Sequence, residues 1–277
     1  MEMILLAAGC YTVCSLADKY AASTAKLSGI RITFIMAAAT AVFMTALLPI
    51  LGVSFSPFSW QLAIFVGLIA ANKLFEFLLG TAILTEMSAF ELKAWLGAVL
   101  FLSYFTDAFV YGGGFRVSGL IFIAVTAVGL ILIARSNRKA VRYQKIALPL
   151  VFYIAVKFGY ALIMRYAAPY GDSTQILYFA LILLAVVLAP KAHILQAARE
   201  KKKGVLITAV TKLPNAVGLY AENAALSVSL TGYSMIQPLI LVALFLIGCF
   251  RGEYGSKLSV AGALIAVGGV IGFQLMK

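Results

Sequence analysis

Three lysines stand where lysine is costly. Lys73, Lys157 and Lys212 each lie inside an apolar run long enough to cross a lipid bilayer, the first in "AANKLFEFLLG" (70–80). A charged side chain at the centre of a spanning helix costs about 2.5–3.5 kcal/mol on insertion scales, so it persists only beside a partner or a wet cavity. Lys73 and Glu76 are three residues apart, on one helical face, where they can pair. At Lys212 the residue at the same spacing is Asn215, so no local carboxylate is on hand. An unpaired ammonium at mid-depth calls for an anion, and lysine meets carboxylates and phosphates as a point charge. With Glu222 on the same helix as Lys212, the set suits a carboxylate, a phosphate, or a zwitterion whose amino group meets a glutamate. Carboxyl groups in a low-dielectric site can exchange a proton, which makes Glu76 and Glu222 the candidates for proton coupling.

Other residues could orient a ligand or move with it. Tyr11, Tyr104, Tyr220, Asn223 and Trp95 present polar tips or flat rings within apolar segments, although Trp95 reads equally as a packing aromatic. Asp107, Glu86, Glu91 and Lys93 read as solvated interface charges, while Asp18 and Lys19 sit at a helix edge, suited to gating or to anchoring. Pro214 and Pro238 interrupt two apolar runs and are hinge candidates. Gly268 and Gly272 form a GxxxG pair, with Gly119 and Gly129 on another segment, and predict close helix packing. Cys10, Cys14 and Cys249 lack metal-ligand spacing and His193 lies in a basic loop, so no metal or other cofactor is expected.

These residues need elements that hold them in lipid. The chain is 63% hydrophobic and 12% charged, with a mean hydropathy of +1.03. Soluble domains carry about 25% charged residues, so this is a membrane protein. Apolar windows predict ten helices at 3–20, 29–51, 59–84, 88–110, 117–134, 146–164, 173–189, 204–226, 232–250 and 259–276. The segment 190–204 is too polar to span and reads as a partly helical surface piece. Sixteen of the 22 lysines and arginines fall in or beside the loops after the odd-numbered helices, most of them in 134–145 and 190–204. Lys and Arg are retained on the cytoplasmic side of short loops, so both termini are expected on the opposite side of a cytoplasmic membrane. The net charge of +12 therefore records orientation in a bilayer, and no nucleic-acid partner is expected.

The sequence also repeats itself. "DKYAAS" (18–23) matches "MRYAAP" (164–169), pairing Lys19 with Arg165; "NKLFEF" (72–77) matches "TKLPNA" (211–216), pairing Lys73 with Lys212; "YGGGFRVSG" (111–119) matches "YGSKLSVAG" (254–262). The offsets of 146, 139 and 143 residues are near half the chain. Residues 1–134 and 146–277 thus read as two five-helix repeats joined by a basic linker, 135–145, within one membrane domain. An odd number of helices per repeat inserts the second copy upside down. The expected fold is all-α and integral to the membrane, ten transmembrane helices in two inverted repeats.

The segment "PLILVALFLIGCFRGEYGSKLSVAGALIAVGGV" (238–270), with a proline-containing helix, a Gly-Glu turn at Gly252 and Glu253 and a glycine-rich last helix, resembles the ending of EamA-like members of the drug/metabolite transporter superfamily. The resemblance implies a central cavity walled by helices 1 to 4 and 6 to 9, with helices 5 and 10 at the periphery. It also implies a secondary active transporter or exporter of a small polar metabolite (an organic acid, an amino acid or a phosphorylated compound), working by alternating access with the proton as a possible coupling ion. A lipid-linked sugar or head-group translocase is the alternative the same resemblance permits. No Gly-Lys-Ser/Thr phosphate loop is present, and no clustered carboxylates or nucleophile-base pair argue for an enzyme such as a lipid transferase.

Overall fold

In the computed structural model the described residues are 2–25, 27–53, 55–87, 89–112, 114–136, 143–250 and 257–275, and among them the chain is helical with no strand. The helices are α1 Glu2–Lys19, α2 Gly29–Leu47, α3 Trp60–Glu86, α4 Ala89–Trp95, α5 Ala98–Phe109, α6 Val117–Ser136 and α7 Tyr143–Ala167. They continue as α8 Ser173–Ala192, α9 Ile194–Glu200, α10 Lys202–Val210, α11 Lys212–Val228, α12 Leu230–Ser234, α13 Ile236–Phe250 and α14 Lys257–Leu275. Every apolar window of the sequence is helical, three of them in two pieces, and the polar segment near residue 195 forms the short α9. Arg138, Lys139 and Arg142 of the basic linker, the Gly252–Glu253 turn and Lys277 lie outside the described residues.

Among the described residues, five helical segments are long and apolar enough to cross a membrane: Gly29–Leu47, Trp60–Glu86, Lys145–Tyr170, Ser173–Ala192 and Leu230–Phe250. Their outer faces stay apolar, with Val42, Ile64, Phe75, Val151, Val186 and Leu246 all exposed. A helix that is hydrophobic all round belongs in lipid or a large core, and here the outward faces have no protein against them.

Short polar residues start the helices. Ser28, Ser59 and Ser229 accept from the backbone N–H of Arg31, Leu62 and Gly232, and Asp172 accepts from Thr174 and Gln175, so donors otherwise orphaned at helix starts are satisfied. Two of the three breaks precede a proline. Pro214 has no N–H to give the carbonyl of Val210, and the helix parts at Thr211; Pro238 does the same for Ser234, and the helix parts at Met235. Beside the Thr211 break the Cys14 thiol donates to the Thr211 carbonyl at 3.2 Å, tying α1 to the start of α11. Pro214 and Pro238 therefore mark discontinuities, whereas Pro149 sits within an unbroken α7.

The helices pack in a defined set of pairs: α1 on α11, α3 on α7, α2 on both α8 and α11, α3 on α8, α5 on α12, and α6 along α14. The α6–α14 contact is the most intimate. A Cβ on Gly129 would stand 2.6 Å from the Gly262 carbonyl oxygen, and one on Gly269 would stand 2.7 Å from the Thr126 nitrogen. Gly272 faces the Phe122 ring in the same way, but Gly268 has open space around it. The GxxxG expectation is thus corrected in register: Gly269 and Gly272 form the seam with Gly129, and Gly268 points elsewhere.

One end of the bundle gathers the ends of α1 and α3, the start of α2, and α9. There Lys19 Nζ donates to the carbonyls of Leu84 at 2.5 Å and Met87 at 2.9 Å, and Arg31 lies 3.9 Å from Glu200. A second cluster gathers the end of α5, the start of α6, the end of α7 and the α11–α12 junction. Its centre is Asp107, which accepts from Ser229 Oγ, Thr231 N and Thr231 Oγ1 at 2.7–2.9 Å and lies 3.5 Å from Arg165.

Candidate functional site

Within the apolar core lies a polar cluster. Glu76, on α3, lies between two ammonium groups: Lys73, one turn earlier on its own helix, at 2.8 Å, and Lys157 of α7 at 2.6 Å. Lys73 Nζ also sits 3.8 Å above the centre of the Tyr160 ring, a cation–π contact. The Tyr160 hydroxyl donates to Asn223 Oδ1 at 2.9 Å, which carries the network from α7 to α11. The neighbouring residue on α11, Glu222, accepts from the Tyr11 hydroxyl of α1. At the start of α11, Lys212 is fully buried and its Nζ lies 2.7 Å from Asp18 of α1.

These groups surround a cavity of about 90 Å³ whose wall includes Tyr11, Asp18, Lys73, Glu76, Lys93, Tyr153, Lys157, Asn215, Glu222 and Gln237. The wall carries three cations, Lys73, Lys93 and Lys157, and three acids, Asp18, Glu76 and Glu222. Two of its buried oxygens, Glu222 Oε1 and Gln237 Oε1, have no hydrogen-bond partner among the described residues. Asn215 donates to Thr40 Oγ1 at 3.1 Å, tying α11 to α2 beside the cavity.

Of the residues singled out from the sequence, the structure brings Tyr11, Lys73, Glu76, Lys157, Asn215 and Glu222 to this one wall. Five others are corrected. Lys212 lies behind the wall, held by Asp18, so the expectation of an ammonium lacking a carboxylate does not hold. Its acid comes from α1, 194 residues away, and no spacing within α11 could reveal it. Asn223 is buried against Tyr160 outside the cavity, Tyr220 is half-buried and lines neither this cavity nor the second one, and Trp95 faces outward. Tyr104 lies at a different place, where its hydroxyl donates to the Arg116 carbonyl at 2.5 Å.

Lys93, Asp18 and Gln237 also belong to the wall. Lys93 reads from sequence as a solvated charge, yet it lines the cavity from the short helix α4. Asp18 reads as a helix-edge group, and in the structure it lines the cavity while pairing with buried Lys212. Gln237, beside Pro238, carried no charge to draw attention; its signal is a polar amide in an otherwise apolar run. Asp107 is likewise no free surface charge, since it caps α12.

A second chamber, about 390 Å³, is lined by Tyr104, Asp107, Tyr111, Arg116, Arg165 and Thr231 among others. The Arg165 guanidinium stacks 4.2 Å from the centre of the Tyr111 ring, so the pair to Asp107 is held in place from two sides. Among the described residues no group of three or more His, Cys, Asp or Glu side chains is arranged to hold a metal ion.

No protein-family model and no curated protein matches the sequence. Twenty-one solved chains match in fold. One of them, known from a crystal structure, superimposes with a TM-score of 0.74 at 16% identity, over 99% of this chain and 96% of its own. Fold and core together define an all-helical membrane protein with a buried cluster of ion pairs around a small polar cavity.

Proposed function

We propose that the protein is a secondary transporter or exporter of a small polar metabolite, anionic or zwitterionic, that works by alternating access around the central cavity. The observation that carries this reading is the convergence of Lys73, Glu76, Lys157, Asp18 and Glu222, from α1, α3, α7 and α11, on the wall of one cavity inside the bundle. Buried ion pairs seldom stabilise a fold better than apolar packing would, so a cluster of this size around a cavity points to a task beyond folding.

The reading includes ten crossing helices as two inverted repeats, with α1, α4–α5, α6, α10–α11 and α14 adding to the five long apolar segments. Its support is the symmetry of the packing. If α1, α2, α3, α4, α5 and α6 correspond to α7, α8, α11, α12, α13 and α14, then α1 on α11 becomes α7 on α3, α2 on α11 becomes α8 on α3, and α4 on α13 becomes α12 on α5. All six contacts are present, and the self-corresponding pairs α2–α8 and α6–α14 are present too. The likeness to the drug/metabolite transporter superfamily, in its EamA-like form, agrees with this arrangement. Transporters of inverted-repeat design bind near the midplane at the repeat interface, and a polar cavity walled by α1, α3, α7 and α11 is what such a site would use.

Both ends of the pathway are tied. Lys19 latches the end of α1 to the α3–α4 junction, and Arg165, its counterpart in the repeat, latches the end of α7 through Asp107 to the α11–α12 junction. Alternating access would release one latch at a time. Of the two proton-coupling candidates, Glu222 suits the role better: protonating Glu76 would strip the counter-charge from two lysines, whereas Glu222 has only a tyrosine hydroxyl to satisfy.

The test is transport by purified protein in proteoliposomes under an imposed pH gradient, with a panel of labelled amino acids, organic acids and phosphate esters. At least one compound should accumulate above protein-free vesicles, and Glu76→Gln should abolish it. Absence of uptake, efflux and counterflow for the whole panel would overturn the assignment.

A further inference from the structure

The cavity wall holds unmatched acceptors, which a purely anionic ligand would leave unpaired. Lys73 and Lys157 share Glu76, and Lys212 is spent on Asp18. Glu222 is 1% exposed and Gln237 4% exposed, both line the cavity, and each has one oxygen without a hydrogen-bond partner among the described residues. A buried oxygen left unsatisfied costs about 1–3 kcal/mol, more when it is charged, so two of them in one small cavity ask for a group that donates several hydrogen bonds. Across the same wall, Lys93 makes no ion pair among the described residues.

We propose that Glu222 Oε1 and Gln237 Oε1 form an ammonium-binding pole of the central cavity, and that the ligand carries a primary ammonium at this pole and a carboxylate directed to Lys93. The proposal rests on the transporter reading for its biological use and narrows that reading's substrate class from anions in general to amine-bearing acids. A primary ammonium offers three donors, enough for both oxygens, and its charge balances Glu222. A ligand with a hydroxyl in its place offers one donor and no charge, and leaves the carboxylate uncompensated. A phosphate ester brings acceptors to a pole that already has too many. The small volume of about 90 Å³ fits an amino acid of modest size better than a nucleotide or a sugar phosphate.

The experiment is a thermal-shift and calorimetric binding screen of the purified full-length protein in detergent. The probes are the standard amino acids, each beside its 2-hydroxy acid and its decarboxylated amine, with a set of phosphate esters. At least one amino acid should bind, with its 2-hydroxy acid weaker by on the order of tenfold to a hundredfold, the loss expected when one charge-assisted hydrogen bond of about 1.5–3 kcal/mol is missing. Glu222→Gln and Gln237→Leu should each reduce that difference, and Lys93→Met should weaken the amino acid but not the amine. Should Glu222→Gln fail to fold, Gln237→Leu alone carries the test, since it removes an acceptor without touching a charge. Equal binding of a 2-hydroxy acid, binding of phosphate esters only, or no binding by any amine-bearing probe would overturn the proposal. Gradient-driven movement of amine-free acids in vesicles would sink the ammonium pole and leave the transporter reading intact. Amino-acid binding without movement would do the reverse.

Discussion

Replacing Glu76 by Gln should be among the most damaging single changes the core can suffer. The side chain is 6% exposed and its two oxygens are within 2.8 Å of two different ammonium groups. Breaking a buried ion pair by removing one partner costs about 3–5 kcal/mol, because the survivor is left charged and unpaired. Here two cations lose their counter-ion, so Glu76→Gln belongs at or above the top of that range. Lys73→Met is the informative comparison. It leaves Lys157 and Glu76 as an intact pair at 2.6 Å, and its cost should stay about 2–3 kcal/mol below that of Glu76→Gln. Unfolding can be followed by labelling of protein thiols with a fluorogenic maleimide during heating, since Cys14 is 3% exposed in the native state. The double variant Lys73→Met/Glu76→Gln strands one cation in place of two and should recover part of the loss. If Glu76→Gln melts within error of the parent, or if Lys73→Met costs as much, the cluster is not held together by charge compensation and the account of the core fails.

Asp18→Asn should destabilise by about 3–5 kcal/mol through the stranded Lys212, which is fully buried, and adding Lys212→Met should restore most of it; additivity of the two changes in a thermal melt would refute the pairing. Gly129→Ala should cost about 1–3 kcal/mol by pushing α6 off α14, whereas Gly268→Ala, with open space around its Cα, should be neutral or gain about 0.5–1 kcal/mol; equal effects would place the helix seam wrongly. Asp107→Asn should loosen the latch at the end of α7, read as faster labelling of a cysteine at buried Ser103 by a membrane-impermeant reagent in a background free of native cysteines; unchanged labelling would exclude a gate there. A topology reporter fused after Lys277 should be active on the non-cytoplasmic side, and a cytoplasmic signal would reverse the orientation.

Much of the helical scaffold was legible because apolar windows and helix-capping residues are local signals. Ser28, Ser59 and Asp172 begin their helices where the hydropathy rises, and the helical windows follow with small shifts at their ends. Lys73 and Glu76 were legible as a pair because three residues on a helix define a neighbour. What stayed hidden is whatever depends on which helices meet. Asp18 and Lys212 are 194 residues apart, and nothing near either one announces the other. Lys93 reads as an interface charge because nothing local to it shows which neighbours its helix meets; in the structure it lines the central cavity. Gly272 and Gly129 lie in the seam as expected, but Gly268 misses it and Gly269 takes its place, because a GxxxG pattern marks a face only if the partner helix lies on that face, and α6 lies along the Gly269–Gly272 side.

If the chain is two repeats as proposed, the corresponding helix pairs α1 with α11 and α7 with α3 are each joined by a salt bridge of opposite polarity: acid on α1 and base on α11, base on α7 and acid on α3. Under that proposal the residue matching Asp18 is Met164 and the residue matching Glu76 is Asn215, so the later copy supplies no carboxylate at either position. Two N-terminal halves would then keep Asp18 facing a lysine at both junctions, while two C-terminal halves would bring Lys157 and Lys212 together without an acid at these two places. On the proposed repeats, the acids of both staples come from the first half and the bases from the second.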